Sequence, residues 1–305
     1  MKEFRLLKYR IDLISVALVL TALGIQLTAF AFSWPWYTFF LIILLVRQVN
    51  LIEHNHAHLG IFEQRSLNEI LGFLCFYSNG TPYEFYKVHH VQNHHAYNQQ
   101  FGEGDSDWSS MFGFKGTHFP DIPIGRFYYV VTFPILTICH SLIFVFRNPG
   151  TKILRRFVRT MILFTVASAA LIYIDVWSFL FFFAIPWVVV YFGLGDNNYS
   201  HHHGCKMTND FDSSNTFLSL PYKALGFHIG CHVAHHIRPD LHWSLLPEYQ
   251  ETIKDKIPQE NYRPYQPGSD PIVAATPPVP GAQANVGEIP SLAGSSKRDV
   301  PSKVQ

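Results

Sequence analysis

Charge is scarce in this chain. Of its 305 residues, 15% are Asp, Glu, Lys or Arg, against 48% hydrophobic and 16% aromatic residues, a balance foreign to a pair of ordinary soluble domains. The composition favours a membrane protein. A net charge of +1 offers no basic field for nucleic acid and no acidic tail, so nucleic-acid partners are not expected. Cysteine is sparse too: Cys75, Cys139, Cys205 and Cys231 form no C-x-x-C pair, which argues against a disulfide framework or a zinc ribbon and fits a reducing compartment. Nor is there an H-E-x-x-H, the pattern of the common membrane metalloproteases, or any internal repeat.

What the chain does have is long apolar runs. The first, Leu13 to Phe32, follows Lys2, Arg5, Lys8 and Arg10. It is too long for a signal peptide and lacks a small-residue cleavage site, so a retained transmembrane helix is expected. A second run extends from Pro35 to Ile52 and leads into "HNHAH". Residues Thr160 to Leu194 carry one charge, Asp175; as one helix they would span roughly 52 Å, too long for a hydrocarbon core of about 30 Å. Two spans, 160–174 and 176–194, turning at Asp175, are the expected division. The stretch Phe127 to Phe146 holds Pro134 and His140. Basic residues before the first run, and Lys152, Arg155, Arg156 and Arg159 before the third, place both loops on the cytoplasmic side. That leaves 127–146 in the interface or re-entrant. The expected architecture is therefore all-α and polytopic: four transmembrane helices, cytoplasmic termini and a cytoplasmic histidine-rich helical cap over residues 1–263. Residues 264–305, rich in Pro, Gly, Ala and Ser, are expected to be a disordered tail.

Fifteen of the seventeen histidines fall in four clusters: 54–58, 89–95, 201–203 and 228–242. His118 and His140 stand outside them. A helix would place His54 with His58, His90 with His94, and His232 with His235 and His236 on shared faces. In "TPYE", Thr81, Pro82 and Glu84 have the pattern of a capping box, so a helix is expected to run through the second cluster. Convergent imidazoles suit Fe, Zn, Cu or Ni. One tetrahedral ion needs about four ligands, and the clusters hold more than twice that, which suggests two ions. His56, His89, His201 and His203 lie off the shared faces, and His242 and His140 read as structural. His228, one turn before His232, is harder to place. Trp108, Trp177 and Trp187 read as core or interfacial anchors.

His54-x-x-x-His58, His90-x-x-x-His94-His95 and His232-x-x-His235-His236, in this order relative to the spans, resemble the three histidine boxes of the integral-membrane fatty acid desaturase and hydroxylase superfamily. "NYSHHHG" resembles its further N-Y-x-x-H-x-G element, which puts Asn198 and His202 on ligand positions. The resemblance covers roughly residues 11 to 250 and implies a non-haem centre of two Fe ions that uses O2 and two electrons on a fatty acyl chain. Acyl desaturation, to a double or triple bond, is the leading expectation; hydroxylation or decarboxylation to a terminal alkene would use the same scaffold. A metal transporter would want ionisable groups near the bilayer midplane, and these spans nearly lack them. The chain has no H-P-G-G of a fused b-type cytochrome domain. A separate electron donor, a ferredoxin or a b-type cytochrome, is therefore expected beside the acyl substrate and membrane lipid.

Overall fold

The computed structural model describes residues 6–100, 106–111 and 123–263; His118 and the expected tail lie outside the described residues. No strand occurs among the described residues, apart from isolated bridges between Leu7 and Phe62 and between Thr216 and Tyr262. The helices are α1 (Asp12–Ala31), α2 (Phe39–His58), α3 (Arg65–Asn79), α4 (residues 83–97), α5 (Pro123–Arg147), α6 (Lys152–Ile174), α7 (Val176–His202), α8 (Leu220–Ala224), α9 (His232–Ile237) and α10 (Leu246–Ile253).

Five of them, α1, α2, α5, α6 and α7, are long and apolar enough to cross a membrane. Large apolar side chains such as Leu13, Phe40, Leu44, Val166 and Trp177 stand exposed along them. So much apolar surface on the outside calls for lipid around it, and the protein is an integral membrane protein. The turn between α6 and α7 falls at Asp175, whose Oδ1 accepts from the amides of Trp177 and Ser178 and caps α7. Two boundaries differ from expectation. Both α2 and α7 continue beyond their apolar runs into the first and third histidine clusters, so rigid helix ends carry those side chains. The run 127–146 forms one unbroken helix, with Pro134 accommodated inside it.

Lipid tails are as apolar as the helices, so burial against water does not drive helices together within the bilayer; close packing and internal hydrogen bonds do. Ala29, Phe30, Ile42, Val46, Tyr77, Phe182 and Phe183 interlock α1, α2, α3 and α7. At their centre lies Gln26, fully buried. Its Nε2 donates to the carbonyls of Ser78 and Phe182 at 3.0 Å each, and its Oε1 accepts from Ser78 Oγ at 2.7 Å. One satisfied amide thus clamps three helices. The helix α3 is not among the expected spans. Its 15 residues extend about 22 Å, short of a crossing, and it wedges against α1 and α2 through Leu71 and Cys75. It ends at Gly80, whose φ of 76° is open to glycine and costly for other residues.

The expected capping box at Thr81 does not form. Asn79 Oδ1 takes the Thr81 amide at 2.7 Å, and Glu84 Oε2 accepts from Thr160 Oγ1 of α6 at 3.3 Å. Glu84 is spent on joining α4 to α6, and α4 starts at Tyr83 behind Pro82.

Candidate metal centre

Four helices converge on one place: the C-termini of α2 and α7, the body of α4, and α9. On α2, His54 and His58 share a face, with ring centroids 5.1 Å apart. The central stretch of α4, Tyr86–His94, is a π-helix, whose bonds close i to i+5, and the His95 amide reaches the His90 carbonyl. Residues five apart therefore fall on one side, and His90 and His95 bring their Nε2 atoms to 3.2 Å. The rings of His90 and His94 stack at 5.3 Å, as a shared face implies, but the two histidines fall in different groups of neighbours.

The side chains form two groups. His54, His58, His90 and His235 have ligand atoms all within 4.8 Å of one another, and so do His94, His202, His232 and His236. His95 stands against the first group, its Nε2 3.0 Å from that of His235, while its ring stacks on His236 of the second at 4.5 Å. α9 therefore serves both groups, sending His235 one way and His232 and His236 the other.

Between these rings, Nε2 to Nε2 distances include 2.7 Å for His54 and His90, and 3.2 Å for both His202 with His232 and His232 with His236. Nitrogens about 2.0–2.2 Å from one shared ion stand about 3 Å apart at right angles and about 3.4 Å apart at tetrahedral angles. The observed spacings are those of a coordination polyhedron. His58 Nε2 and His94 Nε2 are buried without any hydrogen-bond partner, a costly state that an ion would relieve. Burial, then the neighbouring imidazoles, holds His90, His95, His232, His235 and His236 well below the ordinary histidine range. They are neutral, as metal ligation demands.

Behind the rings, the outer nitrogens are fixed. His94 Nδ1 meets Asp107 Oδ2 at 2.8 Å, His202 Nδ1 meets the Ser213 carbonyl at 2.9 Å, and His54 Nδ1 meets Asn55 Oδ1 at 3.1 Å. Each contact protonates Nδ1 and aims the Nε2 lone pair into the group. Asp107 also accepts from the Gln99 amide and from Ser109 N and Oγ. Burial alone would raise its pKa, but His94, His89 and these donors keep the carboxyl below the usual carboxylate range. Asp107 is the residue missed at the sequence level; one of two Asp residues in "DSDWSS", thirteen positions after His94, it carries no spacing rule that marks it.

The off-pattern histidines do other work. His56 Nε2 bonds the Asn68 carbonyl at 2.9 Å and its ring stacks on Tyr83, which fixes α2 to α3 and α4. His203 stacks on Tyr199 and His228 on Trp243. His201 lies flat on His232 at 4.0 Å. His242 Nε2 bonds Asp12 Oδ2 at 3.0 Å. His89 turns toward Phe133 of α5, and His140 stacks on Trp108. Asn198 Nδ2 donates to Tyr129 Oη at 2.5 Å.

An all-α membrane protein with two buried histidine tetrads side by side is a candidate membrane metalloprotein of a distinct class, one whose ligands are imidazoles where other paired-metal bundles use carboxylates. The fatty acid desaturase family model matches residues 31–269, a stretch that holds every helix from α2 onward, and the chain belongs to that family. A comparison with curated proteins finds no match.

Proposed function

We propose that residues 1–263 form an acyl desaturase whose centre holds two iron ions, the first on His54, His58, His90, His95 and His235, the second on His94, His202, His232 and His236. Asn198 contributes beside the second group. The observation that carries this reading is the pair of tetrads with converging ligand nitrogens in a chain of the desaturase family. Iron bound there would supply, with dioxygen and two electrons, the oxidising power to take two hydrogens from adjacent acyl carbons. The balance is one double bond and two waters from one O2, two electrons, two protons and the two hydrogens removed. The chain's own residues hold and orient: Asp107, Ser213 and Asn55 lock the imidazole tautomers, and the surrounding helices keep bulk water from the site. Electrons come from a separate ferredoxin or b-type cytochrome docking on the cap.

We place the cap and both termini on the cytoplasmic side, with α1, α2, α6 and α7 crossing and α5 in the interface. Basic residues before α1 and α6 support the orientation. The contacts of α5 support its position. Arg126 near its start pairs with Asp196 of α7 at 2.7 Å, six residues before His202. Phe144 and Val145 near its end pack with Trp108 and with Phe157 of α6, and Thr160 of α6 is bonded to α4. Both ends of α5 thus keep company with elements of the cap. Cysteine labelling at Gly150, in a background without other cysteines, is expected from the same face as labelling before α1; modification from the opposite face would make α5 a fifth crossing.

The function is tested by supplying membranes with fatty acyl substrates, oxygen and an electron donor and analysing products by gas chromatography. A new double bond is expected. A hydroxylated or chain-shortened product would reassign the reaction on the same centre, and unchanged lipid under every donor would refute the enzyme reading.

A further inference from the structure

A small cavity lies between α4, α5 and α7, lined among others by Thr81, His89, Ser141, Tyr191, Leu194 and Phe85. Three polar atoms around it, Thr81 Oγ1, His89 Nε2 and Ser141 Oγ, are buried without a hydrogen-bond partner, on residues 2%, 8% and 0% exposed. The usual escape for a helical hydroxyl is its own helix. Thr132, Thr137 and Thr160 take it, each bonding a carbonyl three or four residues back, and Ser141 does not. The neighbouring phenols are occupied, Tyr191 with Thr137 and Tyr86 with Asn50. Three orphaned groups around one void in an otherwise apolar wall are costly unless something completes them. His89 is adjacent to His90, and its ring lies 6.3 Å from that of His94, so whatever completes them sits beside the proposed centre.

Resting on the desaturase reading, we propose that this cavity receives a neutral oxygen of the substrate chain, a hydroxyl or a carbonyl close to the carbon that is oxidised. The protein then acts on an oxygen-bearing acyl chain in preference to a plain one. No Lys, Arg, Asp or Glu is among the described lining residues, so a carboxylate would enter without a counter-charge. A neutral oxygen matches the wall: Ser141 and Thr81 both donate and accept, and His89 Nε2 does either according to tautomer. Leu194 and Phe85 supply the apolar side of the wall, against which the flanking methylenes would have to pack.

The test uses the iron-loaded protein without an electron donor, so that binding is read without turnover. Octadecanoyl chains, plain, with a hydroxyl at successive positions, or with a keto group at the same positions, are offered as free acids and as coenzyme A thioesters. At least one oxygenated position is expected to bind about tenfold tighter than the plain chain, the scale of a buried polar site left unpaired by the wrong ligand. The hydroxyl and keto arms tell the two oxygens apart. In the Thr81→Val, Ser141→Ala double variant the ratio is expected to fall to about one. A wild-type protein with no preference at any position, or a double variant that keeps the preference, overturns the proposal; the cavity then holds an internal water. If plain chains are still oxidised when an electron donor is then supplied, the desaturase reading survives that result. If no chain binds and none is oxidised with the donor present, both fail. Should the double variant not fold, the wild-type series decides alone.

Discussion

Asp107 lies behind His94 with both oxygens taken, Oδ2 by His94 and the Gln99 amide, Oδ1 by Ser109 twice. An amide in its place would turn an NH2 against a donor whichever way it faced. Asp107→Asn is therefore expected to lower metal affinity at the second group about 10–100-fold, measured as iron retained against a chelator; full retention would show that His94 needs no support. His90→Ala should strip iron and abolish turnover, whereas His56→Ala should keep its iron and lose thermal stability, because His56 joins three helices and touches neither group. Much of this was legible in the residues: four of the five histidines at or beside the first group and three of the four of the second sit in recognisable H-x-x-x-H or H-x-x-H-H spacings, and His202 sits in the N-Y-x-x-H-x-G element. Which histidine serves which group was not. Spacing shows that rings can share a face, but not that His90 and His94 fall in different groups, or that α9 divides its three rings between two groups.

At the scale of elements, the apolar runs gave good helix positions and poor helix ends. α6 begins eight residues before the expected Thr160 because Thr151 caps it, its Oγ1 accepting from the Leu154 amide at 3.3 Å, and the basic residues of its first turns face water and Glu69. Arg65, Arg156 and Arg159 all reach that one carboxylate, and against burial Arg159 and Arg65 hold it below its ordinary pKa. α3 escaped notice since its apolar face is narrow and it is too short to span. Its junction with α4 is nevertheless tight. A Cβ on Gly80 would stand 2.5 Å from Trp187 Cβ on a backbone already in the left-handed region. Gly80→Ala is expected to destabilise the fold by more than about 1 kcal/mol, lowering the thermal midpoint in detergent; an unchanged midpoint would mean that α3 and α7 separate at little cost.

For the whole molecule, the buried imidazoles set a pH dependence. Their folded values lie below the ordinary 6.5, so below about pH 6.5 the unfolded chain binds more protons than the folded one. In metal-free protein this contribution is complete above about 6.5 and lost as pH falls toward the folded values. Chelator-stripped protein should melt at a lower temperature near pH 5.5 than near pH 8, and the reverse order would require histidines charged in the fold. The topology was read from basic loops and span counting alone. Those rules cannot see the contacts that keep α5 beside α4, or the bond from His242 to Asp12 that spans 230 residues of sequence.

The placement of α9 has a bearing on biosynthesis. The first tetrad takes one ring from residues 232–236 and the second takes two, so a ribosome that has delivered α1 through α7 has made one site short of a ring, one short of two, and no finished one. On the proposed iron reading, both groups are complete only when nearly all of the described chain has emerged and α9 has folded back against the ends of α2 and α7, so pulse-chase loading with labelled iron should show full incorporation lagging insertion of the spans.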